Sequence, residues 1–367
     1  MLVIAGLVIA RPNKRTLTPL YEETVQNWWA QQPLYKGPSG INYLPHFAVL
    51  YGPYHAAGRV VGGIFWRWTA AAGLAAGLWF FCRGISESDR VRAFVIVSAI
   101  SLPLALIALQ NGQANAHLGA ALLLAAWCLK TQRWNSAVAL LWVATCIKPL
   151  GLAAIGLAWA TYPHLWWRLA IGLPVFLGFP FLFGPPAYVW GQYLGAWENL
   201  RRCSEVTQHR FADLNGLLRT FGIPLTDKAS LAVRALAGML LMLLCWRVSR
   251  RETEPRRALI FLSAAGGFLM LFNPMTEANS YVIFAPVLGL MAWWELDRGS
   301  KRLGWLFAAM ALTMGLLPNL LHPFFGHYFS LAWHPAMTLG FLLIIAWQVF
   351  SPGGPNNRPD EPTAVSL

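Results

Sequence analysis

Apolar runs closed by arginine or lysine recur from one end of the chain to the other, and they limit the possible folds more than any other feature. The runs cover residues 60–82, 93–109, 116–128, 135–160, 168–184, 231–246, 259–272, 281–294, 303–320 and 331–350. A helix needs roughly 20 apolar residues to cross the hydrocarbon of a bilayer, where every backbone polar group must be satisfied internally. Hydrophobic residues make up 57% of the 367 and charged ones 12%, with mean hydropathy +0.48, so charges are too few to coat soluble domains of this size. The sequence predicts an all-α polytopic membrane protein with roughly ten to twelve transmembrane helices, some shorter than a full crossing.

The net charge of +13 would suggest nucleic acid in a soluble chain. Here the Lys and Arg lie mainly in short loops, which is how charge sets membrane orientation, so no nucleic-acid partner is expected. With the basic loops 83–92, 130–133, 247–257 and 298–302 on the cytoplasmic side, alternation requires residues 135–160 to cross twice, turning at Lys148-Pro149-Leu150-Gly151. Four segments then share the outer side: 17–54, 110–115, 185–228 and 273–280. The basic cluster 11–15 falls outside as well, against the rule, and the apolar stretch 1–10 is about half a span. The expected layout is one transmembrane domain over 1–350, with a first outer loop 11–59, a long outer loop 185–228 and a disordered cytoplasmic tail 351–367. The localisation that follows is a multi-pass inner (plasma) membrane protein with its site facing outward.

Residues 110–115, Gln-Asn-Gly-Gln-Ala-Asn, place four amides between two apolar runs. An unpartnered carboxamide in hydrocarbon costs a few kcal/mol, so these face water, a cavity or one another. They form either a plain polar hairpin or a hydrogen-bonding wall built by Asn111, Gln113 and Asn115. Lys148 interrupts an apolar run with no acid nearby in sequence, so it snorkels, has a structural partner or meets an anion such as a lipid phosphate. In 17–35 the spacing of Tyr21, Val25, Trp28 and Trp29 predicts an interfacial helix carrying Glu22 and Glu23, which are solvated or held where a carboxylate can act as a base. The long loop holds Arg201, Arg202, His209, Arg210 and Asp213, a phosphate-recognition set or a solvated surface. Residues 273–280 add Thr276, Glu277, Asn279 and Ser280, followed by Tyr281, with Glu277 placed to pair with Lys148 or an arginine of the long loop.

Dinucleotide, P-loop and metalloprotease motifs are absent, and the eight histidines show no zinc spacing, so neither cofactor nor metal is expected. The five cysteines suggest no disulfide framework.

Together, Pro33-Leu34-Tyr35 with Tyr43-x-Pro45, Asn111-Gly-Gln-Ala-Asn115 with the later Lys148-Pro149, and Pro274-x-Thr-x-x-x-Ser-Tyr281 resemble glycosyltransferase family 87, the polyprenol-phosphate-mannose-dependent mannosyltransferases. The resemblance implies a GT-C-like fold with an interfacial helix in the first extracytoplasmic loop. It implies an inverting sugar transfer from a polyprenyl-phosphate donor to a lipid or glycan acceptor, in contact with membrane lipids and without nucleotide or catalytic metal. Such enzymes carry an aspartate shortly before a tyrosine in the first loop. If Tyr21 is that tyrosine, residues 16–18 hold no acid. Glu22 or Glu23 then stands in as base, with Asp213 and Glu277 in reserve. Lys148, Arg202 and Arg210 would bind the donor phosphate, and Asn111, Gln113, Asn115, His209, Asn279 and Tyr281 the substrates. A transporter or lipid flippase would explain broken helices and a buried lysine equally well. A non-catalytic subunit of an envelope glycan complex would explain the missing aspartate.

Overall fold

The computed structural model describes residues 1–11, 16–36, 40–85, 89–204 and 211–351. The expectations placed on His209, Arg210 and the tail 352–367 lie outside the described residues. Among those described, the chain is α-helical with no strand, an all-α polytopic membrane protein. Helices α1 (Leu2–Ala10), α2 (Thr18–Trp29) and α3 (His46–Ala56) precede the long α4 (Arg59–Ile85) and α5 (Arg90–Asn111). Then come α6 (Ala114–Lys130), α7 (Trp134–Ile147), α8 (Gly151–Thr161) and α9 (Trp166–Gly178). The chain continues through α10 (Pro186–Ser204), α11 (Leu214–Thr220), α12 (Asp227–Arg251) and α13 (Arg256–Leu271). A 3₁₀ turn, Ala278–Ile283, leads into α14 (Ala285–Asp297), α15 (Lys301–Phe325) and α16 (Tyr328–Phe350).

Among the described residues, five helical segments are long and apolar enough to cross a membrane: Arg90–Asn111, Pro163–Leu182, Asp227–Arg251, Lys301–Phe325 and Tyr328–Phe350. The sequence predicted about twice as many. The difference has a physical cause: α6, α7 and α8 are apolar but only 17, 14 and 11 residues long. Gly112 and Pro149 end helices where the chain must turn. α6 packs against α4, α7 and α13 and is buried on nearly every side, so most of its surface meets protein rather than lipid. α13 and α14 are buried the same way.

The basic ends of the helices gather at one end of the molecule. Arg247 Nε donates to the Val349 carbonyl (3.1 Å), and the Tyr162 hydroxyl donates to Glu254 Oε1 (2.6 Å). The amide corner and Lys148 lie at the opposite end of the same helices. Most of 185–228 is not loop: α10 and α11 occupy it, and α12 begins at Asp227. Polar residues on the buried face of α10, Gln192 and Asn199, hid a helix behind polar composition. In the first outer segment, α2 buries Tyr21, Val25 and Trp28 as their spacing predicted, while Trp29 stays exposed. α3 docks on α9 through His46, stacked on Phe176 at 4.2 Å.

Candidate functional site

The site begins at Gly112, which ends α5 in the left-handed region at φ +66°. Glycine adopts this conformation without the steric penalty a Cβ incurs. A Cβ there would also lie 3.0 to 3.3 Å from the Arg67 guanidinium. Arg67, the charge inside an apolar run, spends its donors here: on the Gln110 carbonyl (2.9 Å), the Gly63 carbonyl (2.7 Å) and Thr16 Oγ1 (2.7 Å). Trp66 Nε1 donates to the Gly112 carbonyl (2.8 Å), and the Leu17 N–H to the Asn111 carbonyl (3.1 Å). The corner is thereby pinned to α4 and to the start of α2.

From Gln113 onward the amides turn toward two other segments. Gln113 Nε2 donates to Glu277 Oε2 (3.0 Å), and Asn115 Nδ2 donates to Ser280 Oγ (2.9 Å) and, more weakly, to Gln113 Oε1 (3.4 Å). Lys148 Nζ donates to Asn115 Oδ1 (3.1 Å). A continuous polar relay thus runs from the Lys148 ammonium through two amides to the Glu277 carboxylate. Lys148 is half-buried and Glu277 exposed, while Gln113 and Asn115 are buried. The Glu277 charge also acts on Lys148 and on the hydroxyls of Tyr21 and Tyr43, which face each other at 3.3 Å. The Ala114 N–H donates to the Tyr21 oxygen (3.2 Å), which joins the first outer segment to the relay.

Local sequence explains why Lys148 sits there. Pro149 disfavours a helical conformation in the residue before it, and Lys148 is extended at φ −151°, ψ 133°. Gly151 lets the chain fold back, because a Cβ on it would come within 2.5 Å of the Thr145 amide nitrogen. Beside this turn, the faces of α7 and α9 leave an apolar groove of about 420 Å³, lined by Val138, Trp142, Cys146, Ile171, Val175 and Phe176. Cys146, at the end of that groove, is two residues from Lys148.

The other acids occupy different surroundings. Glu22 is buried and accepts from Arg59 Nε (2.8 Å); its second oxygen has no hydrogen-bond partner among the described residues. Glu23 is exposed and paired with Lys36. Asp213 caps α11, its Oδ1 accepting from the Gly216 N–H (2.7 Å). Burial pushes the Asp213 carboxyl above the ordinary aspartate range, and the hydrogen bonds from Gly216 and Asn215 and the charge of Arg234 only partly oppose this.

Of the residues singled out in the sequence, Gln113, Asn115, Lys148 and Glu277 come together. Asn111 contributes its carbonyl to the pinning of the corner. Arg202 lies on exposed α10, where Glu198 Oε1 accepts from its Nε (3.0 Å). The Tyr281 hydroxyl is fully buried and donates to the Ala212 carbonyl (2.8 Å), tying α11 to the turn. Asn279 faces a separate cavity on the far side of the 3₁₀ turn. Arg59 and Tyr43 were assigned no role at the site from sequence, and Ser280 was named only as part of the turn 273–280. Ser280 and Tyr43 belong to the family-like motifs, whereas nothing local marks Arg59 as the partner of Glu22. Among the described residues, no three His, Cys, Asp or Glu gather as metal ligands.

No curated protein and no solved structure matches the chain. The family model of glycosyltransferase family 87 matches residues 42–274, which includes the amide corner and Lys148 and ends three residues before Glu277. A match over well more than half of the chain, on helices long and apolar enough to cross a bilayer, shows that it belongs to glycosyltransferase family 87 and is a membrane glycosyltransferase.

Proposed function

We propose that the protein transfers a sugar, mannose foremost, from a polyprenyl-phosphate donor to a lipid or glycan acceptor on the outer side of the inner membrane, with inversion, in a GT-C-like fold. The observation that carries this reading is the relay Lys148–Asn115–Gln113–Glu277, with a cation at one end and an accessible carboxylate at the other. Glu277 takes the proton of the acceptor hydroxyl. The acceptor oxygen forms its bond to the anomeric carbon as the bond from that carbon to the phosphate oxygen breaks. The phosphate leaves with the electron pair, and its charge is met by Lys148, which keeps donors beyond the one given to Asn115. The groove between α7 and α9 suits the donor's isoprenoid chain, since it is apolar and its lining reaches Cys146, two residues before Lys148. Glu22 and Glu23, the acids first favoured from sequence, already face Arg59 and Lys36, which leaves Glu277 the better placed base. Polar groups gathered at one end of the helices favour transfer over transport, which calls for a path through the membrane midplane.

The test is transfer from labelled polyprenyl-phosphate-mannose by protein in lipid nanodiscs. Glu277→Gln should reduce turnover by about 10²-fold or more, in the range for loss of a general base, while Glu22→Gln retains most of it. Lys148→Ala should raise the donor KM and lower kcat together. Undiminished transfer by Glu277→Gln would remove Glu277 from the mechanism, and no transfer by the unaltered protein would remove the donor assignment.

A further inference from the structure

Behind the 3₁₀ turn lies a second cavity, of about 160 Å³, bounded by α5, α15, α16 and the turn itself. The turn faces two ways. Glu277 and Ser280 reach the amide corner, whereas Ala278 and Asn279 line the cavity. Its polar wall consists of Asn279, Asn319, His322, His327, Ser330 and His334, and no Asp, Glu, Lys or Arg lines it.

Asn279, Asn319 and Ser330 have unused hydrogen-bonding capacity, whereas His334 Nδ1 is already bonded to the Ser330 carbonyl (2.9 Å). Asn279 makes no side-chain hydrogen bond among the described residues, and it is half-buried. Asn319 Nδ2 donates to the Gly315 carbonyl (3.3 Å), leaving its own oxygen and a second N–H free to bond. Ser330 Oγ donates to the His327 carbonyl (2.7 Å) and can still accept. Amides and a hydroxyl, each able to donate and accept, match a ligand rich in hydroxyls. With no Lys or Arg in its lining, the cavity offers a phosphate or carboxylate no permanent positive charge. At roughly 30 Å³ per water, the volume holds about five waters, on the order of one sugar ring. Phe324, Phe325 and Tyr328, all exposed, surround the chain reversal at Gly326, as aromatic side chains do at a membrane interface.

We propose that this cavity is the acceptor site and takes a neutral polyhydroxylated headgroup, a sugar ring or cyclic polyol, borne by a membrane-anchored molecule. The same turn bounds the cavity through Ala278 and Asn279 and meets the relay through Glu277 and Ser280, so Asn279 lies two residues from the carboxylate. The three regions then differ in chemistry as their ligands would: an apolar groove, a cationic relay and a neutral polar cavity. Naming the ligand an acceptor rests on the transferase function proposed above; binding of a polyol by the cavity does not.

The test is saturation-transfer NMR on protein in lipid nanodiscs, with methyl α-mannopyranoside and hexyl β-glucopyranoside as probes. Both should bind saturably, the hexyl glycoside more tightly. Asn279→Leu and Asn319→Leu should each weaken binding by about tenfold, the loss expected for one hydrogen bond to a buried polar partner. Lys148→Ala and added inorganic phosphate should leave binding unchanged. His327→Leu, at the exposed mouth, provides a variant with little risk to folding. Absence of saturable binding, binding indifferent to all three cavity variants, or displacement by phosphate would overturn the proposal. Equal affinity for both probes would overturn membrane delivery. Polyol binding without any sugar transfer would refute the transferase function and leave the cavity. Transfer whose acceptor KM ignores the cavity variants would refute the cavity and leave the function.

Discussion

Glu22 and Arg59 show how one residue's surroundings decide its role. The carboxylate is buried and the arginine half-exposed, so removing either partner has unequal consequences. Arg59→Ala strands a buried charge and should cost about 2–3 kcal/mol, whereas Glu22→Gln keeps an acceptor and leaves an arginine that water can solvate, costing about 1 kcal/mol. Thermal unfolding in detergent checks that order; equal losses would mean the pair is no tighter than a surface ion pair. Asp213 has the opposite character, because burial raises its pKa above that of the unfolded chain. The folded state therefore holds its proton more readily than the unfolded state, and stability falls as pH rises from the ordinary aspartate value of about 4 through the raised one. Asp213→Asn keeps an N-capping oxygen and removes the titration. Its unfolding temperature should be flatter across that window and no lower at neutral pH, as a pair of melting series at pH 4 to 7 would show.

At the level of elements, the link between α5 and α6 is the most sensitive joint. Gly112→Ala forces a left-handed conformation on a residue with a Cβ and brings that Cβ to 3.0 Å from Arg67. The strain alone is on the order of 1–2 kcal/mol, and any shift of Arg67 loosens three hydrogen bonds that hold the corner. Both melting temperature and sugar transfer should fall, whereas Gly156→Ala in α8, where a Cβ meets nothing within 4 Å, should be silent in both assays. The α7–α8 break was legible because Lys148-Pro149 and Gly151 are local instructions to stop and turn. The helix α10 was not, because the partners of its buried polar face lie on the first outer segment: Asn199 Nδ2 donates to the Ile41 carbonyl (3.0 Å) and Gln192 Oε1 accepts from the Leu34 N–H (3.0 Å). No window of sequence contains those partners.

For the whole molecule, the placement of the basic loops can be checked directly. Four of the five native cysteines are buried and Cys146 is half-buried, so background labelling should be low. Trp197→Cys, at an exposed position on α10, should react with an impermeant maleimide in intact cells, and Arg251→Cys, at the exposed end of α12, only after permeabilisation. The reverse pattern would invert the orientation of the relay.

By itself, the sequence determined the class of the protein, the end at which polar residues collect and the family, because hydropathy, loop charge and short motifs are local and survive without coordinates. It brought Gln113, Asn115, Lys148 and Glu277 to the same side of the membrane and could not say which acid they met. Only the tertiary structure decided that, through hydrogen bonds spanning 33 residues between Lys148 and Asn115 and 164 between Gln113 and Glu277. Which carboxylate joins a lysine depends on how helices distant in sequence pack, and packing is a property of the assembled bundle rather than of any segment.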